Sequence, residues 1–260
     1  MLRIFSARLE KPAILRPCSW LDENPDWREM KRLLGKFKWI GLLGLLLCAC
    51  AARPSTPGAR LLALGDSYTV GEGLPRDQSW PSQLARGLEA EGLALDELVV
   101  IARTGWTSDK LLSALEEANP QGPFDLVTVM VGVNDQFNDL PVEDYRQNLR
   151  ALIARAVILA GDDPDRVVVI SIPDWSSSPA GSQIASAARV SVQIALFNQI
   201  CLEETRSAGA RYVDVTPISL LMNERADFSA PDGLHPSGEQ YRAWLELILP
   251  EARAVLGMAN

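Results

Sequence analysis

Residues 60–68 read Arg-Leu-Leu-Ala-Leu-Gly-Asp-Ser-Tyr, an apolar run that leads directly into Gly-Asp-Ser-Tyr. A short, near-continuous apolar run predicts a strand that is buried on both faces, as in a parallel sheet. Four more runs of this kind, rich in Val, Ile and Leu, follow along the chain. We therefore expect five buried strands, at residues 61–64, 98–101, 126–131, 167–172 and 212–215.

Longer amphipathic segments predict helices at residues 79–91, 108–118, 142–160, 186–208 and 237–256. Pro81 suits a first helical turn, and Ser108 and Ser237 are expected to be N-caps. Five strands alternating with five helices predict a doubly wound α/β domain over residues 60–260, a three-layer αβα sandwich around a five-stranded parallel sheet. Such domains place their sites beyond the carboxyl ends of the strands.

Polar clusters stand where the predicted strands end. Ser67 follows the first strand, Gly105 the second and Gly132-Val133-Asn134-Asp135 the third, while Asp232-Gly233-Leu234-His235 precedes the last helix. Because the carboxyl ends of parallel strands meet at one edge of a sheet, we expect these clusters to converge.

These blocks, in this order, resemble the GDSL, or SGNH, hydrolase family of esterases and lipases. The resemblance covers residues 60–250 and implies a flavodoxin-like SGNH fold and ester hydrolysis without a cofactor. It also implies an oxyanion hole made by the backbone N–H groups of Ser67 and Gly105 and the side-chain amide of Asn134. Loss of one such donor typically lowers the rate roughly 10²–10³-fold.

The residues also support a catalytic triad on chemical grounds. A serine hydroxyl needs a base to take its proton, and imidazole, with a reference pKa of ~6.5, suits that role. His235 is the only histidine in the chain. Asp232, three residues earlier, is close enough on a turn to orient its ring. We expect Ser67 to be the nucleophile and His235 the base, and we expect Asp66 and Asp135 to be structural.

Three tryptophans are placed to flank this site: Trp80, Trp106 and Trp175. They are candidates for an acyl or aromatic pocket, although packing in the core is at least as good an interpretation. Asp174 also falls at a strand end, but its role is open. Cys201 lies mid-helix on an apolar stripe, which predicts a buried thiol.

Composition narrows the function classes further. The chain is 47% hydrophobic and 22% charged, which is typical of a globular protein. Nine Lys/Arg and five Asp/Glu precede Cys50, so the remainder carries a net charge of −12. An acidic domain repels phosphate backbones, which argues against nucleic acid as a partner. A single histidine argues against a zinc site. We expect a monomer.

The first sixty residues predict an export signal. Four basic residues between 31 and 38 lead into an apolar run at 39–47, which is too short to span a bilayer. Leu47-Cys48-Ala49-Cys50 resembles the lipobox of bacterial lipoproteins. We expect a signal peptide at 30–49, lipidation of Cys50, a tether at 50–59 and placement in the cell envelope. Residues 1–29 are expected to be a non-structural extension that precedes a true start at Met30. An uncleaved membrane anchor is the alternative.

Three functions stay open at this stage. The first is an esterase acting on lipid-like or simple acyl esters, and the second is an esterase that removes O-acetyl groups from polysaccharides. The third is a flavodoxin-like binding lipoprotein without activity. Asp66 and Glu72 would face a bound phosphate at the first loop, which makes the third function a poor fit.

Overall fold

The computed structural model of the protein describes residues 57–258. The predicted extension at 1–29, the signal peptide at 30–49, Cys50 and most of the tether lie outside the described residues. None of the helices in the described part is both long and apolar enough to cross a membrane.

Five parallel strands form one sheet in the order β2-β1-β3-β4-β5. Their bounds are β1 Ala59–Gly65, β2 Leu95–Ala102, β3 Leu126–Met130, β4 Val167–Ile170 and β5 Arg211–Val213. Each of the five predicted strands is present; β1 and β2 are longer than predicted, and β3, β4 and β5 are shorter. Leu61 to Leu64 are all at most 2% exposed. Full burial of one leucine side chain contributes about 1.5–3 kcal/mol, so the three leucines of β1 are a substantial part of the core.

Five long helices match the predicted ones to within one residue at each end. They are α2 Trp80–Ala90, α3 Ser108–Ala118, α5 Val142–Leu159, α7 Ala187–Ser207 and α9 Gly238–Val255. Helices α2 and α9 pack together on one face of the sheet, and α3, α5 and α7 are successive neighbours on the other. The three-layer αβα sandwich is therefore present.

Four short helices lie between the long elements and were not predicted. They are α1 Ser67–Val70, α4 Val133–Phe137, α6 Gly181–Ile184 and α8 Thr216–Ser219. Helices α1 and α4 begin within three residues of the carboxyl ends of β1 and β3. The chain moves from β1 outward to β2 and then returns across β1 to β3, so β1 and β3 flank the topological switch point of the sheet.

The N-cap predictions divide. Ser237 caps α9, because its hydroxyl accepts the N–H groups of Glu239 and Gln240. The prediction for Ser108 is wrong: Thr107 holds the N-cap position of α3, and Ser108 is the first helical residue. The side chain of Ser108 is instead hydrogen-bonded to the carboxylate of Asp135.

Candidate active site

Ser67 lies at the tight turn between β1 and α1, at the predicted edge of the sheet. Asp66 is the N-cap of α1, and its side chain accepts the backbone N–H of Tyr68 at 3.0 Å. This contact fixes the first turn of α1 and therefore the position of Ser67, which is 4% exposed. Asp66 thus has the structural role that the sequence suggested.

Burial changes the protonation of Asp66. Its side chain is fully buried, and one oxygen, Oδ2, has no hydrogen-bond partner among the described residues. Burial, assisted by the charge of Asp135, outweighs the hydrogen bond from Tyr68 and raises the pKa of Asp66 to about 7. A carboxyl that is largely protonated below neutral pH therefore lies directly beneath Ser67.

His235 reaches Ser67 across the fold. Its Nε2 lies 3.0 Å from Oγ of Ser67, and its Nδ1 lies 2.7 Å from Oδ2 of Asp232. Both distances are within hydrogen-bond reach, which is the geometry that a nucleophile, a base and an orienting carboxylate require. The structure thus brings together the three residues that the sequence singled out.

A short loop holds Asp232 and His235 in register. The backbone N–H of Ala230 donates to the carbonyl of His235 at 2.8 Å and closes this loop. Oδ1 of Asp232 accepts the backbone N–H groups of Leu234 and His235 at 2.9 and 3.0 Å. Partial burial raises the pKa of Asp232, but hydrogen bonds from the His235 ring and these N–H groups outweigh it and hold the pKa below its usual range. Asp232 is therefore an anion at neutral pH.

The turn after β3 positions Asn134. Gly132 has φ +131°, and a Cβ at this position would lie 2.6 Å from the ring of Tyr145, so only glycine fits. Nδ2 of Asn134 donates to the carbonyl of Trp106 at 2.9 Å, which links α4 to the loop after β2. Asp135 anchors the same loop, because it accepts the backbone N–H of Ser108 at 2.9 Å.

Gly105 lies on that loop with φ +80°, a conformation that favours glycine. A Cβ here would meet no atom within 4 Å, so the residue borders open space. Among residues 57–258, no acceptor takes the backbone N–H of Gly105 or that of Ser67. Both groups are available to a substrate oxygen.

A cavity of about 190 Å³ opens at this edge of the sheet. Ten residues line it: Ser67, Tyr68, Thr104, Gly105, Val133, Asn134, Phe137, Trp175, Leu234 and His235. Ser67 and His235 therefore line the same cavity as the other two predicted oxyanion residues, Gly105 and Asn134. No Asp, Glu, Lys or Arg is among the lining residues.

Two aromatic side chains form one wall of the cavity. The rings of Phe137 and Trp175 meet edge to face with centroids 5.3 Å apart. Nε1 of Trp175 donates to Oε1 of Gln136 at 2.7 Å, which fixes the indole. Phe137 is 51% exposed and lies at the entrance, whereas Trp175 is buried.

The three candidate tryptophans have different roles. Trp175 lines the cavity, but Trp80 is fully buried in the core, and the partly buried Trp106 packs against the core. Asp174 is structural, because its side chain caps the 3₁₀ turn at Trp175–Ser177. Cys201 is a buried thiol, and burial raises its pKa to about 12.

Sequence reasoning assigned no role to three apolar lining residues, Val133, Phe137 and Leu234. Val133 and Phe137 are four residues apart on α4, so they lie on one face of a helical turn. That spacing next to Asn134 was the available signal. Leu234 immediately precedes His235, but nothing in the sequence shows which way its side chain points.

The sequence model of the GDSL-like Lipase/Acylhydrolase family matches residues 63–243. An arylesterase of Vibrio mimicus is 33% identical over 135 residues, which are 51% of this chain and 64% of that protein. The match thus spans less than two thirds of the length of this relative.

Solved structures share the fold at low identity. TesA superposes with a TM-score of 0.60 at 20% identity, over 76% of this chain and 99% of that one. The psychrotrophic esterase EstA from Pseudoalteromonas sp. gives 0.56 at 20% identity, over 76% and 98%. The acetylxylan esterase Axe2 from Geobacillus stearothermophilus gives 0.56 at 17% identity, over 78% and 95%. From the extent of the family match, this chain belongs to the GDSL-like lipase/acylhydrolase family.

Proposed function

We propose that this protein is a serine ester hydrolase that acts through an acyl-enzyme on Ser67. One observation carries the proposal: the continuous chain of contacts from Asp232 through His235 to Ser67, which ends in an open cavity. The similar protein from Vibrio mimicus is an arylesterase by name, which agrees with this proposal.

The reaction follows from the positions of the donors and acceptors. Oγ of Ser67 attacks the ester carbonyl while Nε2 of His235 takes its proton, and the carboxylate of Asp232 stabilises the imidazolium. The negative oxygen accepts from the N–H groups of Ser67 and Gly105 and from Asn134. The tetrahedral intermediate then expels the alcohol, which takes its proton from His235. Water, activated by the same ring, releases the acid and restores Ser67.

The proposed substrates are small esters with an apolar or aromatic group. A cavity of about 190 Å³ is below the roughly 300–1,000 Å³ of drug-sized sites, so a long acyl chain does not fit inside it. The wall formed by Phe137 and Trp175 offers aromatic surface to such a group. The absence of a charged lining residue, within the described part of the chain, favours a neutral substrate.

The test is hydrolysis of p-nitrophenyl esters from acetate to palmitate by the full chain. We expect the highest kcat/KM for short acyl chains, and Ser67→Ala and His235→Ala should each lower kcat by roughly 10³–10⁶. Full activity in Ser67→Ala would overturn the proposal. If the protein deacetylates acetylated xylan but hydrolyses none of the p-nitrophenyl esters, the O-acetyl glycan esterase is favoured instead.

The aromatic wall has its own test. Phe137→Ala removes an entrance residue and is expected to raise KM for phenyl esters about fivefold or more, while kcat for ethyl acetate stays within twofold. Leu196→Ala, which removes another exposed apolar side chain that does not line the cavity, is the matched control. Equal loss for both variants, or for both substrates, would contradict the assignment.

We also propose that Cys50 carries a lipid that holds a monomeric enzyme in the cell envelope. The basic and apolar residues before it and the Leu-Cys-Ala-Cys sequence support this. The described chain enters β1 at the end of the sheet opposite to the cavity. Palmitate labelling should disappear in Cys50→Ala and persist in Cys48→Ala. Palmitate labelling of both variants, or of neither, would refute the anchor.

A further inference from the structure

Tyr68, the residue after the nucleophile, contacts the catalytic base through its ring. The centroids of the Tyr68 and His235 rings are 5.2 Å apart, with an angle of 57° between the planes. A cation within about 6 Å of an aromatic centroid is attracted by the ring quadrupole. Thus Asp232 contacts one edge of the imidazole, Ser67 contacts the other, and Tyr68 lies against the ring.

Helix α9 holds the ring of Tyr68 in place from behind. The indole of Trp244 stacks on it with centroids 6.5 Å apart and a tilt of 27°. Tyr241 packs edge-on against Trp244 at 5.1 Å, and its hydroxyl donates to the carbonyl of Tyr68 at 2.9 Å. Trp244 and Tyr241 are fully buried, and Tyr68 is 3% exposed. The tyrosine therefore has little freedom to move away from His235.

The hydroxyl of Tyr68 takes no part in this arrangement. Only the backbone N–H and carbonyl of Tyr68 form hydrogen bonds within residues 57–258. Burial, together with the negative charges of Asp66, Asp232 and Asp174, raises the pKa of this phenol, so it stays neutral throughout the working range. The part of Tyr68 that acts on His235 is the ring.

The charged surroundings of the imidazole are simple. Asp232, on the same loop, is the anion in contact with it, and Asp66 lies buried beneath α1. The groups facing it from α1 are the hydroxyl of Ser67 and the phenol of Tyr68. From α9 the nearest titratable group in the stack is Tyr241, whose pKa burial raises well above its usual value. Among residues 57–258, no lysine or arginine lines the cavity to which His235 and Tyr68 both belong.

We propose that Tyr68 is a positioning residue for His235, whose ring fixes the plane of the imidazole and stabilises the imidazolium formed during proton transfer. The inference rests on the proposed function, because it assigns His235 as the base. No proton or electron moves to Tyr68. The electrostatic part of its contribution appears only when His235 carries a positive charge, so this part favours the transition state over the resting enzyme.

The expected size of the effect follows from measured cation–π contacts. Such contacts are worth about 1–2 kcal/mol in partly or fully desolvated sites, which corresponds to roughly fivefold to thirtyfold in kcat. The same stabilisation corresponds to a change of about one pH unit in the midpoint at which the ring takes up a proton.

The test compares Tyr68→Phe with Tyr68→Leu in the full chain. The single histidine makes the direct readout simple, because a sample labelled with ¹⁵N-histidine reports one imidazole. We expect Tyr68→Phe to keep kcat within about threefold of the wild-type value and the midpoint of the imidazole titration within about 0.3 pH units of it. In Tyr68→Leu, the midpoint and the acid limb of kcat/KM should move about one unit lower, and kcat should fall about fivefold or more.

A graded series guards against loss of folding in Tyr68→Leu. Fluorinated phenylalanines at position 68 keep the shape of the ring but weaken its quadrupole, so the titration midpoint should fall stepwise with each fluorine. An unchanged midpoint across this series, or a large loss of kcat in Tyr68→Phe, would overturn the inference. The titration needs no turnover, so a failure of the proposed esterase activity is seen separately, in the p-nitrophenyl assay.

Discussion

Replacing Asp232 by asparagine should inactivate the enzyme through the tautomer of His235. Oδ1 of Asp232 accepts two backbone N–H groups, at 2.9 and 3.0 Å, while Oδ2 faces Nδ1 of His235 at 2.7 Å. An asparagine has one oxygen, which must stay with the two backbone donors. Its amide nitrogen then donates to Nδ1, and the ring proton moves to Nε2. That nitrogen faces Ser67 and can no longer take its proton.

The magnitude can be worked from the same contact. A pair of unit charges 2.7 Å apart is worth about 6 kcal/mol at an effective dielectric constant of ~20. The side chain of Asp232 is 35% exposed, and solvent screening reduces this value to about 4–5 kcal/mol. We therefore expect kcat to fall by roughly 10³–10⁴, the range found when a triad aspartate is replaced by asparagine.

The assay is p-nitrophenyl acetate hydrolysis, with thermal unfolding measured in parallel to show that each variant folds. Asp227→Asn is the matched control, because Asp227 is an exposed aspartate that pairs with Arg225 nearby in the chain. Asp232→Ala places no donor against Nδ1 and should be no less active than Asp232→Asn. A folded Asp232→Asn enzyme with less than a tenfold loss of kcat would refute the reasoning.

Two further predictions concern the oxyanion donors and the buried carboxyl. Asn134→Ala should lower kcat roughly 10²–10³-fold with little change in KM, and Asn138→Ala should not; equal KM and kcat effects would contradict an oxyanion role. Because the pKa of Asp66 is raised to about 7 when folded, the folded state holds a proton that the unfolded chain releases from about pH 4. The free energy of unfolding should therefore fall by up to about 4 kcal/mol as pH rises from 4 to 7. Denaturant titrations should find this slope in the wild-type protein but not in Asp66→Asn. If the slope persists in Asp66→Asn, Asp66 is not its source.

The strands and the long helices of this protein follow closely from the pattern of apolar residues in the sequence. The strand predicted at 61–64 extends over Ala59–Gly65, and the helix predicted at 186–208 spans Ala187–Ser207. A continuous apolar run marks the strand and a long amphipathic pattern marks the helix, and the burial of both segments agrees with these patterns. The pairing of Asp232 with His235 could also be predicted, because the two residues lie close together in the sequence.

The short helices at the site could not be predicted in this way. Helices α1 and α4 have only four and five residues, fewer than a period can reveal. They are stabilised by tertiary contacts such as the hydrogen bond from Tyr241 to the carbonyl of Tyr68, rather than by helix propensity. Such contacts join residues that are distant in the chain, so their presence is a property of the fold.

The walls of the cavity illustrate the same limit. Trp80 and Trp175 both stand near motif residues in the sequence, but only Trp175 lines the cavity, whereas Trp80 fills the core. Phe137 is a wall residue because α4 meets the 3₁₀ turn at Trp175–Ser177, a contact between segments that are distant in the chain. The roles of Ser67, Asp232, His235, Gly105 and Asn134 remain predictions that the geometry supports.

The most direct test of the central claim is covalent labelling of Ser67. A fluorophosphonate probe added to the full chain should give one adduct by intact mass spectrometry, and peptide mapping should place it on Ser67. Labelling should vanish in Ser67→Ala and slow by several powers of ten in His235→Ala, because the hydroxyl is then without its base. An adduct on another residue, or ester hydrolysis that survives in an unlabelled Ser67→Ala protein, would contradict the account.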